Sequence, residues 1–257
     1  MEEQIIENRQ EGNKNNSQKQ IAGAIIIAGV IIAGAILLKG NVAPTTPTTP
    51  TTTKTEAPAK VSINDKTLGD AKAKVIFILY SDFQCPFCGA ISGLASENSE
   101  IIKYLKQKAS DWAPFMPMIN EYVKNGNVQF VYRDWAFLGT ESVKSAEAAR
   151  CAGDQNKFWE YHDYLYGHQN GENKGAFSDS NLKSFAKNLG LNTSAFNSCL
   201  DTNKYTQAVN DSKAEGIKAG VTGTPRGFIL RDGKVVATVN GAEPASSVKQ
   251  KIDSALK

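Results

Sequence analysis

The chain has 257 residues, a net charge of +3 and a hydrophobic fraction of 41%. A charge this small, with no basic stripe interleaved with aromatics, gives no reason to propose nucleic acid as a partner. Four cysteines (Cys85, Cys88, Cys151 and Cys199) are too few for a disulfide-dense scaffold, and their spacing separates a close pair from a distant one.

In chain order, residues 1–20 are polar, mixed in charge and without apolar periodicity, the composition of a disordered tail. Residues 21–38 read IAGAIIIAGVIIAGAILL, uncharged throughout. As a helix this run reaches roughly 27 Å, close to the thickness of a hydrocarbon core. A helix apolar on every face has nothing to pack on beside a disordered tail, so a single transmembrane anchor is expected. A cleaved signal peptide is the alternative, disfavoured by the long apolar run and by an exit lacking a small-x-small site. Arg9, Lys14 and Lys19 before the span, against Lys39 and Lys54 after it, lean to a cytoplasmic N-terminus and an extracytoplasmic domain. Residues 39–60 are rich in Pro and Thr and have little to bury; as an extended stalk they reach roughly 60 Å.

The folded domain is expected over 61–257, about 200 residues, enough for a sizeable core. Residues 74–80 (KVIFILY) suit a buried strand. They run into SDFQCPFC, and Pro86 suits the first position of a helix. Helical pieces are expected at 101–108 and 118–123, with Pro114 and Pro117 between them. A strand follows at 127–133 after an Asn-Gly turn, and then helices over about 139–219. Asp232–Gly233 joins strands at 227–231 and 234–240 as a hairpin, and an amphipathic helix fits 245–256. Strands separated by helices, with a late hairpin, indicate an α/β fold.

Cys85-Pro86-Phe87-Cys88 carries the chemistry because a strand leads into it and a helix leaves from it. Zinc would need further ligands, and only His162 and His168 are on offer without a second CxxC, so no metal is expected. At a helix start, free N–H groups and the dipole favour an anion. Cys85 is therefore expected as an exposed thiolate of lowered pKa, with Cys88 facing inward as the resolving thiol.

The runs FILYSDFQCPFC, RDWAF, CAGDQNKFWEYHDYLY and GVTGTPRGFI resemble the DsbA-like branch of thioredoxin-fold proteins over roughly residues 70–256. The resemblance implies a thioredoxin fold with an inserted helical subdomain, here preceded by the anchor. It implies a cis peptide at Thr224–Pro225 facing the active-site pair, with Thr224, Pro225, Pro86 and Phe87 contacting substrate. It also implies an enzyme needing no organic cofactor, acting on cysteine-containing exported proteins, with a membrane partner that restores its redox state. Two features depart from the family: Arg226-Gly227 after the proline, and a long stretch at 92–117 that bears on the substrate groove. Arg226 is read as a solvated charge rather than a neighbour of Cys85, and Asp82 as a turn or cap residue rather than a proton carrier.

Cys151 and Cys199 are expected to form a structural disulfide if the domain lies outside the cytoplasm, ahead of two buried free thiols. The aromatics Phe158, Trp159, Tyr161, Tyr164 and Tyr166 read as core, and His162 and His168 as structural or surface residues. Asn192-Thr193-Ser194 is a glycosylation sequon that matters only in a glycosylating host. The leading activity is oxidation of dithiols through Cys85 and Cys88. A reductase or isomerase, or a tethered binding or chaperone domain with structural cysteines, are the rivals.

Overall fold

The computed structural model describes residues 57–96 and 99–257. The expected tail and anchor, and all but the last residues of the stalk, lie outside them. Among the described residues no helix is long and apolar enough to cross a membrane.

The elements in order are β1 (Lys66–Leu68), β2 (Val75–Ser81), α1 (Pro86–Ser92), α2 (Glu100–Lys108), α3 (Met116–Lys124) and β3 (Val128–Asp134). Five helices follow: α4 (Thr140–Gly153), α5 (Phe158–Gly167), α6 (Asp179–Asn188), α7 (Thr193–Asp201) and α8 (Thr206–Lys218). The hairpin β4 (Arg226–Arg231) and β5 (Lys234–Asn240) and the helix α9 (Ala245–Leu256) complete the domain. The five strands form one sheet in the order β1-β3-β2-β4-β5. β2 and β3 are parallel and the other pairings antiparallel.

The central strand β2 is apolar on both faces because the sheet is covered on both. Side chains alternate across a strand. Phe77 and Leu79 enter the larger core with Phe130, Tyr132 and Ile229, under α1, α3 and α9. Ile78 and Tyr80 enter a smaller core with Val131, Trp135 and Phe228 on the other face. Gly227 has no alternative: a Cβ there would stand 2.6 Å from the Phe77 ring and 3.0 Å from Val239. Pro117 does not separate helices as its sequence position suggested. It lies in the first turn of α3, where a missing N–H costs nothing.

The five-helix insertion is held to the sheet by charge as well as packing. Arg150 of α4 donates from Nε to Asp134 Oδ2 at 2.6 Å, and the two side chains are 8% and 2% exposed. Among the described residues the other Asp134 oxygen has no hydrogen-bond partner. Arg150→Met removes the cation bonded to the buried Asp134 carboxylate, so it is expected to destabilise the fold by about 3–5 kcal/mol, read from denaturant unfolding. Cys151, the next residue, is disulfide-bonded to Cys199 of α7, with Cα atoms 5.8 Å apart. Asn192 of the sequon is the N-cap of α7, where its side chain accepts from Ala195 N–H at 3.0 Å.

The aromatics of α5 are mostly core, with Phe158, Tyr161 and Tyr166 buried. His162 is buried among the rings of Phe83, Tyr132, Trp159 and Tyr166. Its carboxylate partner is its own neighbour: Nδ1 lies 2.8 Å from Asp163 Oδ1. His168 stacks on Tyr164 at the surface.

Candidate active site

β2 ends at Ser81, and the next four residues carry the chain to α1. Asp82 holds that turn. Its Oδ1 accepts from Gln84 N–H at 2.8 Å and from the Ser142 hydroxyl at 2.7 Å. Its Oδ2 accepts from the backbone N–H groups of Phe137, at 2.9 Å, and Leu138. Burial raises the Asp82 pKa, while these four donors oppose the shift. With its lone pairs so committed, Asp82 braces the loops around the cysteines. Gln84 extends the brace to the insertion: its amide N–H donates to Leu138 O and Ser142 Oγ, and its Oε1 accepts from Asn173 N–H at 2.6 Å. Gln169, also from the insertion, donates to the carbonyls of Phe83 and Cys85.

Cys85 is the N-cap of α1, with extended backbone (φ −67°, ψ 119°), and Pro86 opens the helix. Cys88 lies within the first turn. Both thiols are free. The exposed sulfur expected at Cys85 is not found: Cys85 is only 4% exposed and Cys88 1%. The cover comes from a segment 139 positions away. The loop before β4 brings the Thr224 carbonyl to 3.4 Å from Cys85 Sγ, and the Thr224–Pro225 peptide is cis.

The pair is electrostatically unequal. A hydrogen bond from the Cys88 thiol is the largest influence lowering the Cys85 pKa. Burial opposes it, and the backbone N–H groups of Cys88 and Phe87 add to the lowering. α1 is only seven residues long. These local donors, rather than a long-helix dipole, hold the anion. Cys88 is pushed well up, first by burial and then by its bond to Cys85. One buried thiol made easier to ionise beside another made harder to ionise is the asymmetry that thiol–disulfide exchange uses.

Phe87 is half-buried, and its ring meets Tyr104 of α2 edge-on with centroids 6.5 Å apart. The stretch after α1 thus builds an aromatic wall beside Pro86 and Phe87, with Tyr104 46% exposed. Arg226 takes no part in the cysteine site. It shares its sheet face with Phe228, over whose ring its guanidinium lies at 5.2 Å. Phe228 belongs to the smaller core, whereas Cys85 belongs to the larger one on the opposite face. Sequence reasoning missed the supports Gln84, Gln169 and Ser142; nothing local marks them, since their partners are 54 or more positions distant.

A family model described as thioredoxin matches residues 113–253, a stretch that begins after Cys88. A "Probable disulfide bond formation protein D" of Bacillus cereus is 24% identical over 75% of this chain and 79% of its own. The crystal structure of the thiol-disulfide exchange protein alpha-DsbA2 from Wolbachia pipientis is 24% identical, with a TM-score of 0.56 over 75% of this chain and 87% of that one. A Na(+)/H(+) antiporter NhaA 1 of Salinispora arenicola is 26% identical over 64% of this chain, a stretch that is 21% of the antiporter. The first curated relatives are longer proteins, of which this chain spans 21 to 58%. With more than half of the chain matched, the chain belongs to the thioredoxin family, and with the helical insertion standing between β3 and β4 it shares the fold of the DsbA-like structure it resembles.

Proposed function

We propose that this protein oxidises dithiols of exported proteins, with Cys85 as the exchanging sulfur and Cys88 as the resolving one. The observation that carries the reading is the lowered pKa of Cys85, caused first by the Cys88 thiol and supported by two backbone N–H groups. Each unit of lowering favours the thiolate by about 1.4 kcal/mol, equivalent to about 30 mV in a two-electron couple. A stabilised thiolate stabilises the reduced pair, which makes the disulfide the stronger oxidant. Thr224 and Pro225 would present backbone to the substrate, and Pro86 and Phe87 would face its side chains. The two sulfurs hold both electrons, so no organic cofactor is needed.

The anchor at 21–38 would hold the domain at the outer face of the cell membrane, within reach of a membrane partner that reoxidises it. The Cys151–Cys199 bond supports an oxidising compartment. The glutathione redox equilibrium of the full chain tests the direction of electron flow. A potential near the oxidising end of the family scale, about −120 mV, is expected. A value near about −270 mV would make it a reductase instead.

A further inference from the structure

Gly89 follows Cys88 inside α1, with ordinary helical backbone rather than a positive φ. Nothing in its own conformation calls for glycine, which is less favourable than alanine in a helix. The reason lies outside the helix. A Cβ at position 89 would stand 2.2 Å from Gln169 Oε1 and 2.9 Å from its Cδ. Gln169 comes from the loop between α5 and α6. With its amide oxygen against Gly89, its nitrogen is turned to the backbone of the turn before α1. There it donates to the Phe83 carbonyl and, at 3.3 Å, to the Cys85 carbonyl. These two carbonyls lie on either side of the Cys85 side chain along the chain.

The loop that carries Gln169 is itself held. His168, the residue before it, stacks on Tyr164 with ring centroids 3.9 Å apart. Asn173 donates from its N–H to Gln84 Oε1 and from its side-chain amide to Leu138 O, each at 2.6 Å. The Glu141 carboxylate accepts from the N–H groups of Gly175 and Phe177, both at 2.8 Å. The other brace of the turn binds different atoms: Asp82 takes the Gln84 N–H through Oδ1 and the Cys85 N–H through its carbonyl, the latter at 3.1 Å. Among the described residues Gln169 is the one side chain that hydrogen-bonds the Cys85 carbonyl. The other donor to that oxygen is the Gly89 N–H at 3.0 Å, closing the first turn of α1.

We propose that Gln169 is a positioning residue for disulfide exchange, clamping the backbone on both sides of the Cys85 sulfur, and that position 89 is glycine to admit it. This rests on Cys85 being the exchanging sulfur. A side chain at the N-cap lies ahead of the first-turn N–H groups only while its own peptide keeps the capping geometry. Gln169 holds that peptide by the same oxygen that accepts the first helical bond, and it holds the chain two residues earlier as well. Without the clamp, the sulfur spends time away from those donors and from the Thr224 carbonyl, which stands 3.4 Å from it. Gln169 carries no charge, so its influence on Cys85 runs through backbone geometry.

The test follows the pH dependence of Cys85 alkylation by iodoacetamide in the reduced full chain, read by mass spectrometry of its peptide. Wild type is compared with Gln169→Ala, Gln169→Met, Gly89→Ala and the double variant of Gly89→Ala with Gln169→Ala. Each Gln169 variant is expected to raise the pH midpoint by about half a unit, the scale of one hydrogen bond. Methionine keeps the bulk of the side chain, so a shift in Gln169→Met belongs to the lost hydrogen bonds and not to packing. Gly89→Ala should give a similar shift, because its Cβ displaces a flexible amide rather than the helix. In the double variant Gly89→Ala should add nothing to Gln169→Ala, the non-additivity of two changes acting on one contact. A role confined to stability would lower the denaturant midpoint of unfolding and leave the pH midpoint in place. An unmoved pH midpoint in Gln169→Met would therefore overturn the proposal, as would a Gly89→Ala shift that persists in full once Gln169 is gone. A wild-type Cys85 that ionises no lower than an ordinary thiol would instead defeat the redox reading on which the proposal rests.

Discussion

Cys85→Ser is expected to abolish disulfide exchange, lowering the rate by about three orders of magnitude or more, as removal of a nucleophile does elsewhere. Cys88→Ser is expected to lose turnover as completely but by a different route. Cys85 would still form a mixed disulfide with a substrate thiol, and no second sulfur would stand behind it to resolve the bond. The two variants therefore separate on a non-reducing gel: a trapped adduct with Cys88→Ser and none with Cys85→Ser. Cys88→Ser also replaces the thiol whose hydrogen bond is the largest influence lowering the Cys85 pKa. If both variants turned over substrate like wild type, the cysteines would be structural and a binding role would stand in place of an enzyme.

Removing the second cysteine pair is expected to produce a large loss of stability. Cys151 and Cys199 are 48 positions apart. Opening a loop of that length releases unfolded-state entropy worth about 4 kcal/mol in the chain-entropy description. Cys151→Ala combined with Cys199→Ala tests this by denaturant unfolding, against wild type with its bond intact. Because α4 carries both Arg150 and Cys151, loss of the bond should loosen the insertion, and with it Gln84, Ser142 and Gln169, before the sheet. Hydrogen exchange should show protection lost first in α7 and α4 and last in β2. A double variant as stable as wild type would mean that packing of the insertion alone suffices.

The sequence made legible the elements whose signals are local. The apolar run of β2, the proline opening α1, the Asp232–Gly233 turn and the last helix all stand where their residues suggest. β1 was missed because three residues, Lys-Thr-Leu, carry no period; only pairing with β3 makes them a strand. Cys85 was misjudged as exposed because its cover is the Thr224 carbonyl, brought in by tertiary contact. Asp82 was rightly taken as a turn residue, but three of its four donors come from residues 55 to 60 positions on. Tyr166 read as one more core aromatic; that its hydroxyl meets Ser81 follows only from how α5 lies on the end of β2. Arg226 was read as solvated, and the alternation of β4 puts it on the sheet face opposite the cysteines.

The thiol ionisations also set a pH dependence of stability in the reduced protein. A depressed folded pKa at Cys85 contributes stability that is present above the ordinary thiol value, about 8.5, and is lost as pH falls through the lowered one. Cys88, with its pKa raised, contributes in the opposite sense: its share is present below the ordinary value and is lost as pH rises through the raised one. The most direct test is a titration of the reduced full chain by ultraviolet thiolate absorbance, with Cys85→Ser as the reference. One sulfur should ionise clearly below the ordinary thiol value, and that step should vanish in Cys85→Ser. Two sulfurs that both ionise at or above the ordinary value would contradict the account, because neither would then be held ready as the attacking anion.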